Sequence, residues 1–141
     1  MKRVFLDATC WIAAAGSELG GSSAIILLAE ALLIVLITSQ AVLQESERNI
    51  RAKMGSLTLQ RFHFLLATTE IEVCEETTEA EEEQWTALTV KKDRHVLAAA
   101  IRGKADVLVT LDRKHILTDA VRAGFPIPVQ DTREFLTAFR G

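Results

Sequence analysis

The sequence predicts an α/β fold of three layers, in which helices cover both faces of a central, mostly parallel sheet. Short apolar runs alternate along the chain with longer segments of helical pattern, which is typical of β-α-β units. The strand-like runs contain few polar residues, as expected for parallel strands buried on both faces. A chain of 141 residues has the length of one domain, which we assign to residues 1–141.

The first half of the chain predicts two strands, two helices and a further amphipathic segment. In order, these are a strand at 4–6 ending in Asp7, a helix at 24–31 after the capping loop 20–23, a strand at 33–38 rich in β-branched residues, a helix at 40–54 capped by Ser39 and stopped by Gly55, and the amphipathic segment 57–67. The apolar stretch 24–37 spans 14 residues and contains Glu30, whereas crossing a bilayer takes about 20 apolar residues. We expect it to be buried core and not a membrane span.

The second half predicts three strands and three helices. In order, these are a short strand at 71–73, an acidic helix at 78–87, a helix at 93–102 ended by Gly103, a strand at 106–111, a turn at 124–126, a strand at 127–129, and a helix that Asp131 caps and that runs through Phe139. The run Asp-Val-Leu-Val-Thr-Leu at 106–111 is the clearest buried strand, and Asp112 follows it.

Composition and charge narrow the classes of function. Sixteen basic and 19 acidic residues give a net charge of -3, which excludes a simple nucleic-acid binder of high pI. The stretch 70–90 contains eight acidic and no basic residues, and we expect it to be a solvated face placed away from any phosphate-binding cleft. With six Phe, two Trp and no Tyr, the chain is poor in stacking platforms, and we expect Trp11 and Trp85 to pack in the core or an interface.

The cysteines and the first residues bear on the cellular compartment. Cys10 and Cys74 form no CxxC pair, and the sequence Met-Lys-Arg-Val-Phe-Leu-Asp lacks the apolar core of a signal peptide. We therefore expect a reducing, cytoplasmic environment.

Two aspartates follow the two most clearly buried strands. Asp7 comes after the first strand and Asp112 after the strand at 106–111. The carboxyl ends of parallel strands meet at one edge of a sheet, where ligands bind in such folds. Two carboxylates that converge there repel each other unless a cation or a proton lies between them. By themselves, Glu45 would be one member of a charged helix face and Asp93 a cap at the start of a helix.

The acidic residues lie in segments that together resemble the PIN-domain family of nucleases. The segments that carry the resemblance are VFLDAT at 4–9, TSQAVLQE at 38–45, DRHVLAAA at 93–100, ADVLVTLD at 105–112 and the tail PVQDTREFL at 128–136. They occur in the family's order and cover essentially the whole chain. The chain departs from the family in Cys10-Trp11, near which the family often has Asn or Ser, and in the additional acid Asp119.

The resemblance implies a three-layer PIN-like fold and a site built on four acids. The family's acids match Asp7, Glu45, Asp93 and Asp112, and its hydroxyl residue matches Thr110. Carboxylates are the ligands that Mg²⁺ or Mn²⁺ prefers, and such ions assist phosphodiester hydrolysis. We expect Asp7, Asp93 and Asp112 to contact metal directly or through water, Glu45 to help hold metal or orient the attacking water, and Thr110 to support them by hydrogen bonds.

Substrate contacts should come from basic residues next to these acids. Arg48, Arg94, Arg113 and Lys114 are the candidates for holding the phosphates of the substrate. His95 and His115 lie near two of the acids in the sequence, but we interpret both as structural, because a lone histidine in a helical stretch is more often so.

The function that the resemblance implies is a metal-dependent endoribonuclease, similar to the toxin half of VapC-type toxin-antitoxin pairs. An antitoxin would then cover the cleft, and domains of this size commonly form homodimers. The segment 24–37, where exposed, is a candidate surface for either contact.

Two alternatives remain open at this stage. A phospho-receiver module also places acids at strand ends, but it requires paired acids after the first strand, and Asp7 stands alone. A catalytically idle relative that acts as a binding protein is disfavoured only because all four acids are present.

Overall fold

The computed structural model describes residues 1–140, which form five strands and eight α-helices. In chain order these are β1 (Lys2–Leu6), α1 (Ala8–Gly16), α2 (Gly21–Glu30), β2 (Ile34–Ser39), α3 (Gln40–Lys53), α4 (Ser56–Thr68), β3 (Glu72–Cys74), α5 (Glu79–Glu83), α6 (Arg94–Arg102), β4 (Val107–Val109), α7 (Asp119–Gly124), β5 (Val129–Gln130) and α8 (Thr132–Arg140). A 3₁₀ helix over Lys91–Asp93 leads into α6.

The five strands form one parallel sheet in the order β3-β2-β1-β4-β5. Helices α1 to α4 contact one another, whereas α5 packs against α6 in a separate group. Right-handed crossovers between parallel strands place these two groups on opposite faces of the sheet. The predicted three-layer α/β fold is therefore confirmed.

The centre of the sheet is a topological switch point. From β1 the chain moves to β2 on one side, and it returns later to β4 on the other side. The residues of β4 and the last three of β1 are fully apolar and buried, so both strands are fixed in the core. Leu6 pairs with Val109, which brings Asp7 and Thr110 side by side just beyond the paired residues.

The sequence pattern does not reveal two of the helices, α1 and α7. In α1, Cys10, Trp11, Ala14 and Ala15 are all buried, so no polar face marks the helix. Helix α7 has only six residues, too few for a periodic pattern. The predicted acidic helix ends early, at Glu83, and the chain continues as turns in which the N–H groups of Trp85, Thr86 and Leu88 donate to carbonyls three residues before them.

The remaining elements occur where they were predicted, with bounds that shift by a few residues. The strand predicted at 106–111 pairs only over Val107–Val109, although backbone hydrogen bonds from Asp106 to Arg3 and from Thr110 to Gln130 extend its contacts with both neighbours. Asp131 caps α8 as predicted, since its Oδ1 accepts a hydrogen bond of 2.7 Å from the backbone N–H of Glu134.

Both tryptophans pack within the fold, as expected. Trp11 is wholly buried, and the ring of Trp85 packs edge-to-face against Phe125 with ring centroids 5.0 Å apart.

The apolar stretch 24–37 divides into the end of α2 and the start of β2, as predicted. Ile25, Ile26 and Leu36 are buried, whereas Leu27, Leu32 and Leu33 are more than half exposed. Among the described residues, no single helix has the length and apolar character to cross a membrane. Helices α1 and α2 together have that length and character, but the pair is bent by 95°.

Candidate active site

Asp7 is the buried acid at the end of β1. Its backbone ends the strand and its carboxylate caps α1, accepting a hydrogen bond of 3.3 Å from the Cys10 N–H. The Thr9 hydroxyl donates to Oδ1 at 2.5 Å, and the Thr110 hydroxyl donates to Oδ2. Burial raises the pKa of Asp7 to about 6 despite these hydrogen bonds, which favour the ionised form, and repulsion from Asp112 adds to the rise.

Two threonine hydroxyls join Asp7 to the end of β4. Besides donating to Asp7, Thr110 Oγ1 accepts a hydrogen bond of 3.0 Å from the backbone N–H of Asp112. Thr9 Oγ1 likewise accepts from the backbone N–H of Leu111 at 2.9 Å. The segment after β4 is therefore fixed relative to Asp7, which places Asp112 beside it.

Asp112 begins a tight turn that fixes its own carboxylate. Its Oδ1 accepts hydrogen bonds of 3.1 Å from the backbone N–H groups of Lys114 and His115. Its Oδ2 is 3.9 Å from His115 Nδ1. One oxygen of this carboxylate is thus used to hold the turn, and the other faces its neighbours in the site.

Asp93 has a buried carboxylate at the start of α6. It stands at the N-cap position but makes no side-chain capping hydrogen bond, contrary to the simplest interpretation of its place in the sequence. Its Oδ2 is shielded from solvent and accepts no hydrogen bond from residues 1–140; the basic atoms His115 Nδ1 and Lys92 Nζ lie 3.0 Å and 3.7 Å from it. Burial raises the pKa of Asp93, with repulsion from Asp112 and Glu45 opposing the attraction of Lys92 and His115.

Glu45 approaches the same region from α3. Its Oε1 lies 3.6 Å from Nε2 of His95, a residue of the first turn of α6. The contact with the His95 ring lowers the pKa of Glu45, against the effect of its partial burial, and the charges of Lys92 and Arg48 lower it further. Glu45 is therefore ionised at neutral pH.

These acids surround a cleft of about 670 Å³ at the carboxyl edge of the sheet. Glu45, Asp93 and Asp112 line it, and Asp7 is buried beside its lining residues Ala8 and Thr9. The sequence segments that supply them lie as far apart as 105 residues, but the fold brings all four to one place. One oxygen each of Asp93 and Asp112 and one ring nitrogen of His115 lie within 4.8 Å of one another, close enough to hold one metal ion.

A family model described as "PIN domain" matches residues 3–114, which is most of the chain and includes all four acids. The chain belongs to the PIN-domain family. No curated protein matches its sequence.

Solved structures share the fold of this PIN domain at low sequence identity. The VapC20 toxin of Mycobacterium tuberculosis (Rv2549c), described as cleaving the sarcin-ricin loop, is 20% identical with a TM-score of 0.54, over 86% of this chain and 95% of that one. PAE2754 of Pyrobaculum aerophilum is 14% identical with a TM-score of 0.64, over 99% and 96%. VapBC2 of Rickettsia felis, solved with a DNA fragment from its promoter, is 15% identical with a TM-score of 0.64, over 92% and 98%.

Of the four basic residues predicted to hold substrate, the structure places one on the cleft of the PIN domain. Arg48 lines it. Arg94 instead donates from Nε to the Thr89 carbonyl at 3.2 Å and faces a second cavity lined by glutamates of α5. Arg113 pairs with Asp131 at 2.9 Å, and the exposed Lys114 does not line the cleft.

Three further residues, not among the predicted site residues, line the cleft or contact its acids. Lys92 lines the cleft, and His95 and His115, interpreted there as structural, each approach a predicted site acid. The short spacing from Asp93 to His95 and from Asp112 to His115 was the available signal, because residues so close in a turn or helix start can share one site.

The acidic stretch 70–90 lies nearer to the cleft than its composition suggested. Glu82 lines a small cavity together with Gln44 and His95, both of which also line the cleft. No residue of the stretch lines the cleft itself, but α5 packs against α6, whose first turn carries His95, so this part of the stretch lies close to the cleft.

Proposed function

We propose that this PIN domain is a divalent-metal-dependent endoribonuclease that hydrolyses RNA phosphodiester bonds, and that it is the toxin component of a toxin-antitoxin pair. The observation that carries the proposal is the convergence of Asp93 and Asp112 on one cleft, with Asp7 and Glu45 beside them. Carboxylates at such short range, two of them with raised pKa values, are poised to bind a cation.

The residues present fit a hard divalent ion such as Mg²⁺ or Mn²⁺. Within the described part of the chain the buried Oδ2 of Asp93 has no hydrogen-bond donor, so a cation would supply the partner that this oxygen lacks. Asp93 and Asp112 would hold the ion, with Asp7 and Glu45 completing the acidic set directly or through water. When bound, such an ion offsets the charge that develops on the phosphate oxygens during hydrolysis.

The side chains around these acids have separate tasks in the proposed reaction. Thr9 and Thr110 hold the Asp7 carboxylate in one orientation through hydrogen bonds to its two oxygens. Glu45, ionised at neutral pH, accepts a hydrogen bond at Oε1 from the attacking water and so orients it. Arg48 and Lys92, which line the cleft, bind the phosphates of the RNA strand.

The choice of RNA and of a toxin role is supported by the structural neighbours. VapC20 is described as a toxin that cleaves the sarcin-ricin loop, and VapBC2 is a complex solved with promoter DNA. We extend these two features to this chain as an RNA substrate and an antitoxin partner that covers the cleft. The proposal also includes a homodimeric state and a cytoplasmic location.

The decisive experiment is cleavage of mixed RNA by the purified protein with Mg²⁺ or Mn²⁺ and with EDTA. Asp7→Asn and Asp112→Asn should abolish a metal-dependent activity that the parent shows. Asp119→Asn is the matched control, because Asp119 is an exposed acid in the first turn of α7 and does not line the cleft. Equal activity in all four proteins, or activity that persists in EDTA, would overturn the proposal.

A further inference from the structure

His115 is held against the two acids that would bind the ion. Its Nδ1 lies 3.0 Å from Oδ2 of Asp93 and 3.9 Å from Oδ2 of Asp112. The Asp93 side chain is only 9% exposed, and no residue that the structure describes donates a hydrogen bond to its Oδ2, even though the His115 ring is so close. An ion held between these atoms would satisfy the buried oxygen, whereas the present contact with the ring does not.

Hydrogen bonds to both its N–H and its carbonyl group fix the backbone of His115. Its backbone N–H donates to Asp112 Oδ1 at 3.1 Å, and its carbonyl accepts a hydrogen bond of 2.7 Å from the Thr89 hydroxyl. Its neighbours Arg113 and Lys114 are exposed, so the turn directs only His115 toward the acids. A ligand whose backbone is fixed in advance loses little entropy when it binds an ion.

We propose that His115 is a nitrogen ligand to the same ion as Asp93 and Asp112, and that it makes the site prefer Mn²⁺ to Mg²⁺. The inference rests on the metal site of the proposed function. Mg²⁺ favours an all-oxygen shell, whereas an imidazole nitrogen suits transition-metal ions better. A site of two carboxylates and one imidazole therefore discriminates between two ions that carboxylates alone would bind with similar geometry.

His95 provides the matched control. Its Nε2 lies 3.6 Å from Glu45 Oε1, but its nitrogen atoms are not part of the group in which the donor atoms of Asp93, Asp112 and His115 lie within 4.8 Å of one another. The third histidine, His63, contacts Glu47 from α4. The chain has three histidines in all, so replacing His63 and His95 leaves His115 as the sole imidazole.

The test is electron spin echo spectroscopy of the tag-free protein loaded with one equivalent of Mn²⁺. We expect modulation from a directly bound ¹⁴N nucleus in the parent and in His95→Gln, and its loss in His115→Gln. In the His63→Gln/His95→Gln protein, ¹⁵N-labelled histidine should convert the ¹⁴N signal to a ¹⁵N signal. This second arm leaves His115 in place, so it decides the question even where His115→Gln does not fold.

Calorimetry tests the selectivity in His115→Gln and in His63→Gln, whose ring contacts Glu47 and does not line the cleft. The ratio of the Mg²⁺ to the Mn²⁺ dissociation constant should fall by at least about tenfold in His115→Gln and remain near the parent value in His63→Gln.

The outcomes separate this inference from the proposed function. If Mn²⁺ binds and Asp93→Asn removes it, but no histidine nitrogen couples to the ion, the His115 assignment is overturned and the carboxylate metal site stands. The same holds if the ion ratio is unchanged in His115→Gln. If the protein binds neither Mn²⁺ nor Mg²⁺, the proposed function fails together with the inference.

Discussion

Two groups of acids in this protein differ in how their members are spread along the sequence and in whether any carboxylate among them is buried. The cleft acids, Asp7, Glu45, Asp93 and Asp112, come from four distant segments, whereas the acidic stretch 70–90 has eight glutamates between residues 70 and 83. Burial raises the pKa values of Asp7 and Asp93. In the acidic stretch, hydrogen bonds to Arg3 and to the Thr78 backbone lower those of Glu72 and Glu81. The mark of a candidate site is thus a carboxylate buried without sufficient compensation, and not a high density of acids.

Removing one negative charge from each group should give the largest contrast between them. Asp93→Asn should lower kcat/KM for RNA cleavage by at least about 100-fold, because it removes a buried ligand to the proposed ion. Glu83→Gln, in the acidic stretch, should stay within about twofold of the parent. Initial rates at saturating Mn²⁺ measure both. A comparable loss in the two variants would mean that the acidic stretch takes part in the reaction.

A second contrast concerns the pH dependence of stability in the metal-free protein. The pKa of Asp7 is about 6 in the folded state and 3.8 in the unfolded chain. Between these pH values the folded state therefore holds a proton on Asp7 that the unfolded chain has released. The free energy of unfolding should fall as pH rises through this window, by up to about 3 kcal/mol from this residue. Asp7→Asn removes this dependence, and it should be more stable than the parent at pH 8 by about 2 kcal/mol, after allowing for the lost acceptor of the Thr110 hydroxyl.

Urea unfolding in EDTA at pH 5 and pH 8 measures the upper part of this window, where about 1.4 kcal/mol of the fall is expected. Glu83→Gln serves as the control and should retain the pH dependence of the parent. If the parent and Asp7→Asn lose stability equally between the two pH values, Asp7 is not the buried acid that the geometry describes.

The two strands that precede Asp7 and Asp112 explain why the sequence predicts these acids at one edge of the sheet. Parallel strands buried on both faces leave continuous apolar runs, so β1 and β4 are visible in the sequence and Asp7 and Asp112 mark their ends. Glu45 and Asp93 came only from the family resemblance, since a helix face and a helix start attract acids for ordinary reasons. Helix α1 was missed for the opposite reason, because a helix that is buried nearly all round carries no amphipathic pattern.

Proximity in sequence is a poor guide for Arg94, and for His115 it indicates the contact with Asp112 but not the one with Asp93. Arg94 follows Asp93, yet successive residues of a helix point about 100° apart, and its side chain faces the acidic stretch. His115 meets Asp93 across 22 positions of sequence, a contact that depends on how the turn after β4 packs against the loop that holds Thr89. Such contacts are tertiary, and no local pattern encodes them.

RNA binding tests the different positions of Arg48, which lines the cleft, and Arg94, which does not. In the cleavage-deficient Asp93→Asn background, Arg48→Gln should weaken binding about five- to tenfold and reduce the slope of log affinity against log salt by about one. Arg94→Gln should change affinity less than about twofold, because Arg94 faces the glutamates of α5 and not the cleft. Fluorescence anisotropy over a salt series measures both quantities. A larger effect of Arg94→Gln would show that the RNA extends past α5.

The smallest effect should come from the ion pairs that tie the acidic stretch to the rest of the fold. Arg102, at the end of α6, contacts Glu81 at 2.7 Å and Glu75 at 2.8 Å. Because these groups are solvated, Arg102→Gln should lower Tm by no more than about 4 °C, and the difference should vanish at about 1 M NaCl, where the Debye length is about 3 Å. Thermal melts at low and high salt provide the measurement. A larger loss that survives high salt would show that these surface pairs hold α5 against α6, and the contrast between a buried site and a solvated face would then be too simple.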